Sequence, residues 1–167
     1  MIQVYTGNGK GKTTAALGLA LRAAGAGLKV YIMQFAKGRR YSEVAALENI
    51  KNIRLEQCGG SCFITKTPSK KDIDSAKKGL EKVRGIIARK LYNVVILDEI
   101  NIALKLGLLE LSEVCALLKK APKGVEIVLT GRYAHPEIIK LCDLASEMRE
   151  VKHYFRKKVS ARKGIEF

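Results

Sequence analysis

A chain of 167 residues with 47% hydrophobic content can bury one sizeable core and is not a disordered segment. Its 31 Lys and Arg against 16 Asp and Glu leave a formal charge of +15, so anions are the expected ligands: nucleotides, phosphorylated cofactors, nucleic acid or acidic lipid. No apolar run approaches the ~18 residues of a membrane span, and MIQVYTGNGK lacks the basic-then-apolar layout of a secretory signal. Four cysteines (Cys58, Cys62, Cys115 and Cys142) are no disulfide framework in a chain this long, so a reduced, cytoplasmic setting is expected.

The first apolar run, IQVYT (2–6), reads as a strand, and helical periodicity follows from Thr13 to Ala26. LKVYIMQF (28–35) and NIRLEQ (52–57) read as further strands. Cys58 and Cys62 form a lone C-x3-C without a second pair, and structural zinc takes four ligands, so no zinc site is expected. From Ser61 to Lys71 no period holds, and the stretch reads as a long loop. Ile73, Ala76, Leu80, Val83 and Ile87 then share one face of a helix over 72–91. NVVILDE (93–99) and VEIVLT (125–130) are strands, a short helix starts at Pro136, and SEMREV (146–151) is a last candidate strand. Strands alternating with helices predict a single α/β domain over 1–167, a mostly parallel sheet with helices on both faces. The unbroken VVIL run marks a doubly buried central strand.

The strongest chemical signal is VYTGNGKGKTTAALGLAL. A strand ends at Thr6, and Gly7, Asn8, Gly9, Lys10 and Gly11 lead into Lys12, Thr13, Thr14 and a helix. Glycines let the backbone approach anionic oxygens, and successive N–H groups with the helix N-terminus point at phosphates. Lys12 would reach the phosphate tail, and the Thr13 hydroxyl would bind Mg²⁺. The usual phosphate-loop pattern asks for glycine at position 6, where this chain has Thr6. Lys10 adds a cation inside the loop and points to a heavily charged ligand tail.

The second signal is Asp98 and Glu99 at the end of NVVIL. Carboxylates at a strand's C-terminal end, beside a phosphate loop, suit Mg²⁺ coordination or water positioning. The other reading is a strand-end carboxylate capping the next helix. In LTGRYAHPE, Arg132 would project from the same sheet edge and could clamp a phosphate, or could be a surface arginine. His135 before Pro136 reads as a helix N-terminal residue, and Lys37 after the second strand could face the ligand. Two basic tracts, 66–90 with nine Lys/Arg against three acids and 149–163 with seven against one, read as solvated surface. A nucleic-acid footprint there would lack stacking partners, since aromatics are 6% and Trp is absent.

The runs YTGNGKGKTTAALGLALRAAGAGLKVYIMQFAKG, VVILDEIN and TGR-AHPEII, and the ending VKHYFRKKVSARKGIEF, resemble the P-loop family of ATP:cob(I)alamin (corrinoid) adenosyltransferases over essentially the whole chain. The resemblance implies a RecA-like P-loop fold and a homodimer. It implies transfer of the 5′-deoxyadenosyl group of ATP to the cobalt of a reduced corrinoid, cob(I)alamin or cob(I)yrinate a,c-diamide, with release of triphosphate. That places the enzyme in adenosylcobalamin biosynthesis or salvage, with Mg²⁺ or Mn²⁺ and an electron-donating reductase, and with neither nucleic acid nor membrane as partner. It carries Gly7 to Thr14 over as the ATP phosphate site, with Lys12, Thr13 and Glu99 catalytic and Thr13, Asp98 and Glu99 as metal contacts. Many members carry F-x-W in the loop after the third strand, against the lower face of the corrin. Here Phe63 remains as the expected corrin contact and Thr65 replaces the tryptophan. Tyr133 stands where glycine is usual. Longer members cover the site with an arm before the first strand; here the strand begins at once, and a cover is expected from elsewhere. The rival expectations are a RecA-like ATPase that binds nucleic acid through its basic surface, and a regulatory protein that senses ATP.

Overall fold

The structure, a computed structural model, describes residues 1–36, 41–59 and 68–167. Its elements are β1 (Ile2–Thr6), α1 (Lys12–Gly25), β2 (Val30–Phe35), α2 (Ser42–Leu47), β3 (Ile53–Cys58), α3 (Lys70–Ala88), β4 (Val94–Asp98), α4 (Ile100–Lys105), α5 (Leu111–Lys119), β5 (Glu126–Thr130), α6 (Pro136–Leu141) and β6 (Leu144–Glu147), with a 3₁₀ turn at Tyr154–Lys157. The six strands are all parallel, in the order β3-β2-β4-β5-β1-β6. This is the expected α/β sheet, flanked by helices.

Alternation along the strands explains both layers. Val95 and Leu97 of β4 face one core with Tyr31, Met33, Phe35, Ile127 and Leu129, under α3, α4 and α5. Val94 and Ile96 face the other, with Val30, Ile32 and Val128. A strand buried on both faces has no polar side, so VVIL is apolar throughout. The second core is closed by Ala16, Ala20 and Ala23 of α1, whose small side chains at i, i+4 and i+7 let the helix lie close on the sheet.

The strand order sets the site. β5 lies between β1 and β4, so the phosphate-loop strand and the carboxylate strand are not neighbours. Tyr5 pairs with Thr130, Leu97 with Leu129 and Gln34 with Asp98, which brings the C-terminal ends of four strands level.

Several expectations are corrected. The last strand is Leu144–Glu147, not 146–151, because its pairing runs from Gln3 with Leu144 to Thr6 with Glu147 and stops where β1 stops. Helix α3 begins at Lys70, inside the stretch read as loop: Ser69 and Asp72 form a reciprocal capping box that fixes its start. The rest of that loop reading falls largely on residues 60–67, outside the described residues. Helices α2, α4 and α5 have no counterpart in the sequence reading.

Candidate active site

The loop after β1 curls around its own lysine. Lys12 is buried, and its Nζ donates to the Gly9 carbonyl at 2.6 Å. Burial pushes its pKa down, Glu99 opposes that shift, and Arg132 adds to it, so all three charges share one field. Gly11 caps α1 with no side-chain hydrogen bond, so the first-turn N–H groups have no competing acceptor from the cap.

Gly7 and Gly9 serve a second purpose. A Cβ on Gly7 would stand 2.5 Å from the Met148 carbonyl oxygen, and one on Gly9 2.7 Å from the same atom. The Gly9 N–H donates to that oxygen at 2.6 Å, and the Met148 N–H donates to the Thr6 carbonyl at 2.8 Å. The chain after β6 therefore backs the loop at main-chain contact distance, where no side chain fits.

Asp98 is 1% exposed and accepts hydrogen bonds from Thr13, Thr130 and Gln34. The Thr13 hydroxyl donates to Oδ1 at 2.9 Å, the Thr130 hydroxyl to Oδ1 at 2.6 Å, and the Gln34 amide to Oδ2 at 3.1 Å. Burying a carboxylate requires such partners. Thr130 in turn accepts from the Glu99 N–H at 2.9 Å. Glu99 has left-handed φ of 59° and caps α4, a conformation that a non-glycine residue holds only when its surroundings fix it. Sequence reasoning gave Gln34 and Thr130 no role, although both lie in runs it singled out, LKVYIMQF and LTGRYAHPE, because only the sheet register brings them to Asp98.

Gly9, Lys10, Gly11, Lys12, Thr13, Thr14, Glu99 and Arg132 line a cavity of about 930 Å³. Gly7, Asn8 and Asp98 are not among its lining residues. Phe63 and Lys37 lie outside the described residues. Tyr133 also lines the cavity, at φ 62°, with the Lys105 ammonium 5.8 Å from its ring centre. His135 caps α6, its Nδ1 accepting from the Glu137 N–H at 3.2 Å.

The far wall comes from the C-terminal segment, which the sequence reading left as solvated surface. His153, Tyr154, Phe155, Val159, Ile165 and Glu166 line the same cavity. The Ser42 hydroxyl donates to the Phe167 carbonyl at 3.1 Å, and the Phe167 ring lies 6.5 Å from that of Tyr41, so the segment crosses from β6 to the start of α2. The available signal was the set of apolar residues spaced among its lysines and arginines.

The chemistry is that of phosphate-loop enzymes: a cation in a glycine turn, a helix N-terminus, a threonine hydroxyl and two strand-end carboxylates around one cavity. A family profile described as "ATP:corrinoid adenosyltransferase BtuR/CobO/CobP" matches residues 1–167. A corrinoid adenosyltransferase of Pseudomonas aeruginosa is 37% identical over 100% of this chain and 83% of its own length. One of Escherichia coli K12 is 35% identical over 100% and 85%. Among solved structures, the KaiC-like protein PH0186 of Pyrococcus horikoshii OT3 superposes with a TM-score of 0.55 at 18% identity, covering 87% of this chain and 71% of that one, and it shares the fold. The chain belongs to the ATP:corrinoid adenosyltransferase family. It is an enzyme of the kind that adenosylates corrinoids.

Proposed function

We propose that this enzyme transfers the 5′-deoxyadenosyl group of ATP to the cobalt of a reduced corrinoid and releases intact triphosphate. The observation that carries the reading is the pairing of a phosphate loop rich in cations with a cavity of about 930 Å³ beside it. In the reaction the Co(I) electron pair forms the Co–C5′ bond, the C5′–O bond breaks, and its electrons leave with the triphosphate. Cobalt ends two electrons more oxidised. Because cob(I)alamin is itself a strong nucleophile, no side-chain nucleophile or general base is needed. The protein's part is to orient the ribose carbon and to stabilise the departing charge.

Lys12, Lys10 and the loop N–H groups would bind the triphosphate, with Arg132 on the facing edge. Thr13, Asp98 and Glu99 offer hard oxygen donors of the kind Mg²⁺ or Mn²⁺ takes, with phosphates completing the shell. Asp98 already accepts from three side-chain donors, so it is better suited to orient the Thr13 hydroxyl than to bind metal directly, which leaves Thr13 and Glu99 to hold the ion. The metal would supply charge neutralisation on the leaving group. We propose further that residues 1–167 act as one domain, as a homodimer in the cytoplasm, with a separate reductase delivering electrons to the corrinoid and with no nucleic acid or membrane as partner. Phe63 is assigned to the corrin face by family resemblance alone.

Lys12→Ala tests the reading. The variant should keep its circular dichroism spectrum and lose corrinoid alkylation by at least about 100-fold, the scale of removing one oriented charge from a leaving group. Full activity in the folded variant would remove the loop from the mechanism.

A further inference from the structure

The C-terminal segment sets a carboxylate against the phosphate loop. Glu166 Oε1 accepts from Lys10 Nζ at 2.9 Å and from Arg162 Nη2 at 3.2 Å. Its Oε2 accepts from the Arg162 N–H at 2.8 Å and from Arg162 Nε at 3.3 Å. Lys10 also donates to the Ile165 carbonyl at 2.9 Å. The Tyr154 ring lies 5.9 Å from the Lys10 ammonium and 4.8 Å from the Arg162 guanidinium, so one aromatic face serves both cations. These groups hold the Glu166 carboxyl down to about 2, Arg162 more than Lys10, so it is an anion throughout the physiological range.

Two cations of different origin thus converge on a single oxygen. One belongs to the phosphate loop and the other to the C-terminal segment, whose Glu166 lies 156 residues from Lys10 along the chain. Lys10 and Glu166 both line the cavity beside the loop, and Arg162 adjoins it through the Glu166 carboxylate. The two cations are nearly half exposed and the carboxylate about one-fifth, and ion pairs in contact with water hold weakly, so the contact can exchange for another anion. Arg162 offers a planar fork suited to phosphate.

We propose that Lys10 and Arg162 form a phosphoryl subsite beside the loop, in which the Glu166 carboxylate sits and from which the triphosphate displaces it. The subsite rests on the reading that the loop binds a triphosphate, and it adds a cation from the C-terminal segment that lies outside the phosphate-loop motif. Glu166 is then a competitor for the subsite, and Arg162 a ligand in it.

The opposing signs provide the test. Binding of inorganic tripolyphosphate is measured by calorimetry at low salt for the wild type, Arg162→Ala, Glu166→Gln and Lys12→Ala, with folding checked by circular dichroism. Arg162→Ala should weaken binding roughly tenfold, the scale of one charge-assisted hydrogen-bonded pair, with partial recovery in Arg162→Lys. Glu166→Gln should tighten binding several-fold. If the segment is only a strap, both substitutions loosen it and shift affinity the same way; that outcome, or no change in either, overturns the subsite. Failure of the underlying reading looks different: the wild type does not bind tripolyphosphate, or Lys12→Ala binds it as well as the wild type.

Discussion

Thr130 joins the two carboxylate residues of the site through one hydroxyl, which donates to Asp98 and accepts from the Glu99 N–H. Thr130→Val keeps the shape but removes one donor to Asp98 Oδ1 and the acceptor of the Glu99 N–H. It should cost about 1–3 kcal/mol in urea denaturation, the scale of losing hydrogen bonds that include one to a buried carboxylate, and should lower activity as Glu99 loses a contact that holds it. Thr130→Ser should restore most of both; equal stability of Val and wild type would show that the hydroxyl holds nothing. Cys58 gives a second residue-scale expectation. Burial pushes its thiol up to about 12, so at pH 8 it is neutral and enclosed. Iodoacetamide should leave Cys58 unmodified until the protein unfolds, and rapid native labelling would contradict its place in the core. The sign of the linkage is fixed: a raised thiol pKa contributes stability that is intact below pH 9 and lost as pH climbs toward 12. Lys10, Lys12 and Thr13 were legible because their glycine spacing is local. Gln34 and Thr130 were not, since they reach Asp98 across 64 and 32 residues of sequence through strand register.

At the scale of elements, apolar runs located five strands because each is buried on at least one face. β6 was misplaced because it is a mostly exposed edge strand with a weak apolar pattern. α2 and α4 are six residues each, too short to display a helical period. The start of α3 was legible in principle: Ser69-x-x-Asp72 is a capping box, although the aperiodic stretch before it hid the signal. Ser69→Ala should lower Tm by roughly 2–4 °C, the usual effect of a lost cap in a domain of this size. The hydrogen bonds from Ser69 hold the Asp72 carboxyl below its ordinary range. The cap's contribution is therefore present above the ordinary carboxylate pKa and fades as acid protonates it, so the Tm gap between variant and wild type should close at low pH. A gap that stays constant into acid would assign the loss to something other than the capping box.

Across the whole molecule, a net charge of +15 accompanies a cavity lined by Lys10, Lys12 and Arg132, which the proposed function assigns to a polyanion. Affinity for tripolyphosphate should fall steeply between about 0.05 and 0.5 M salt as screening shortens the reach of that field. An affinity insensitive to salt would confine recognition to buried contacts. No helix among the described residues is long and apolar enough to cross a membrane. The basic C-terminal tract, which composition alone left as surface, is spent on the cavity: it supplies one wall and the Arg162 contact to Glu166 beside Lys10. Charge counts could not reveal this, since they say how much charge there is and not which way a segment folds. The most direct measurement mixes the protein with ATP, Mg²⁺ and chemically reduced cobalamin, follows the spectrum for the Co–C bond, and analyses the phosphate products. Alkylcobalamin and intact triphosphate should appear in equal amounts; orthophosphate released without alkylcobalamin would contradict adenosyl transfer at this loop.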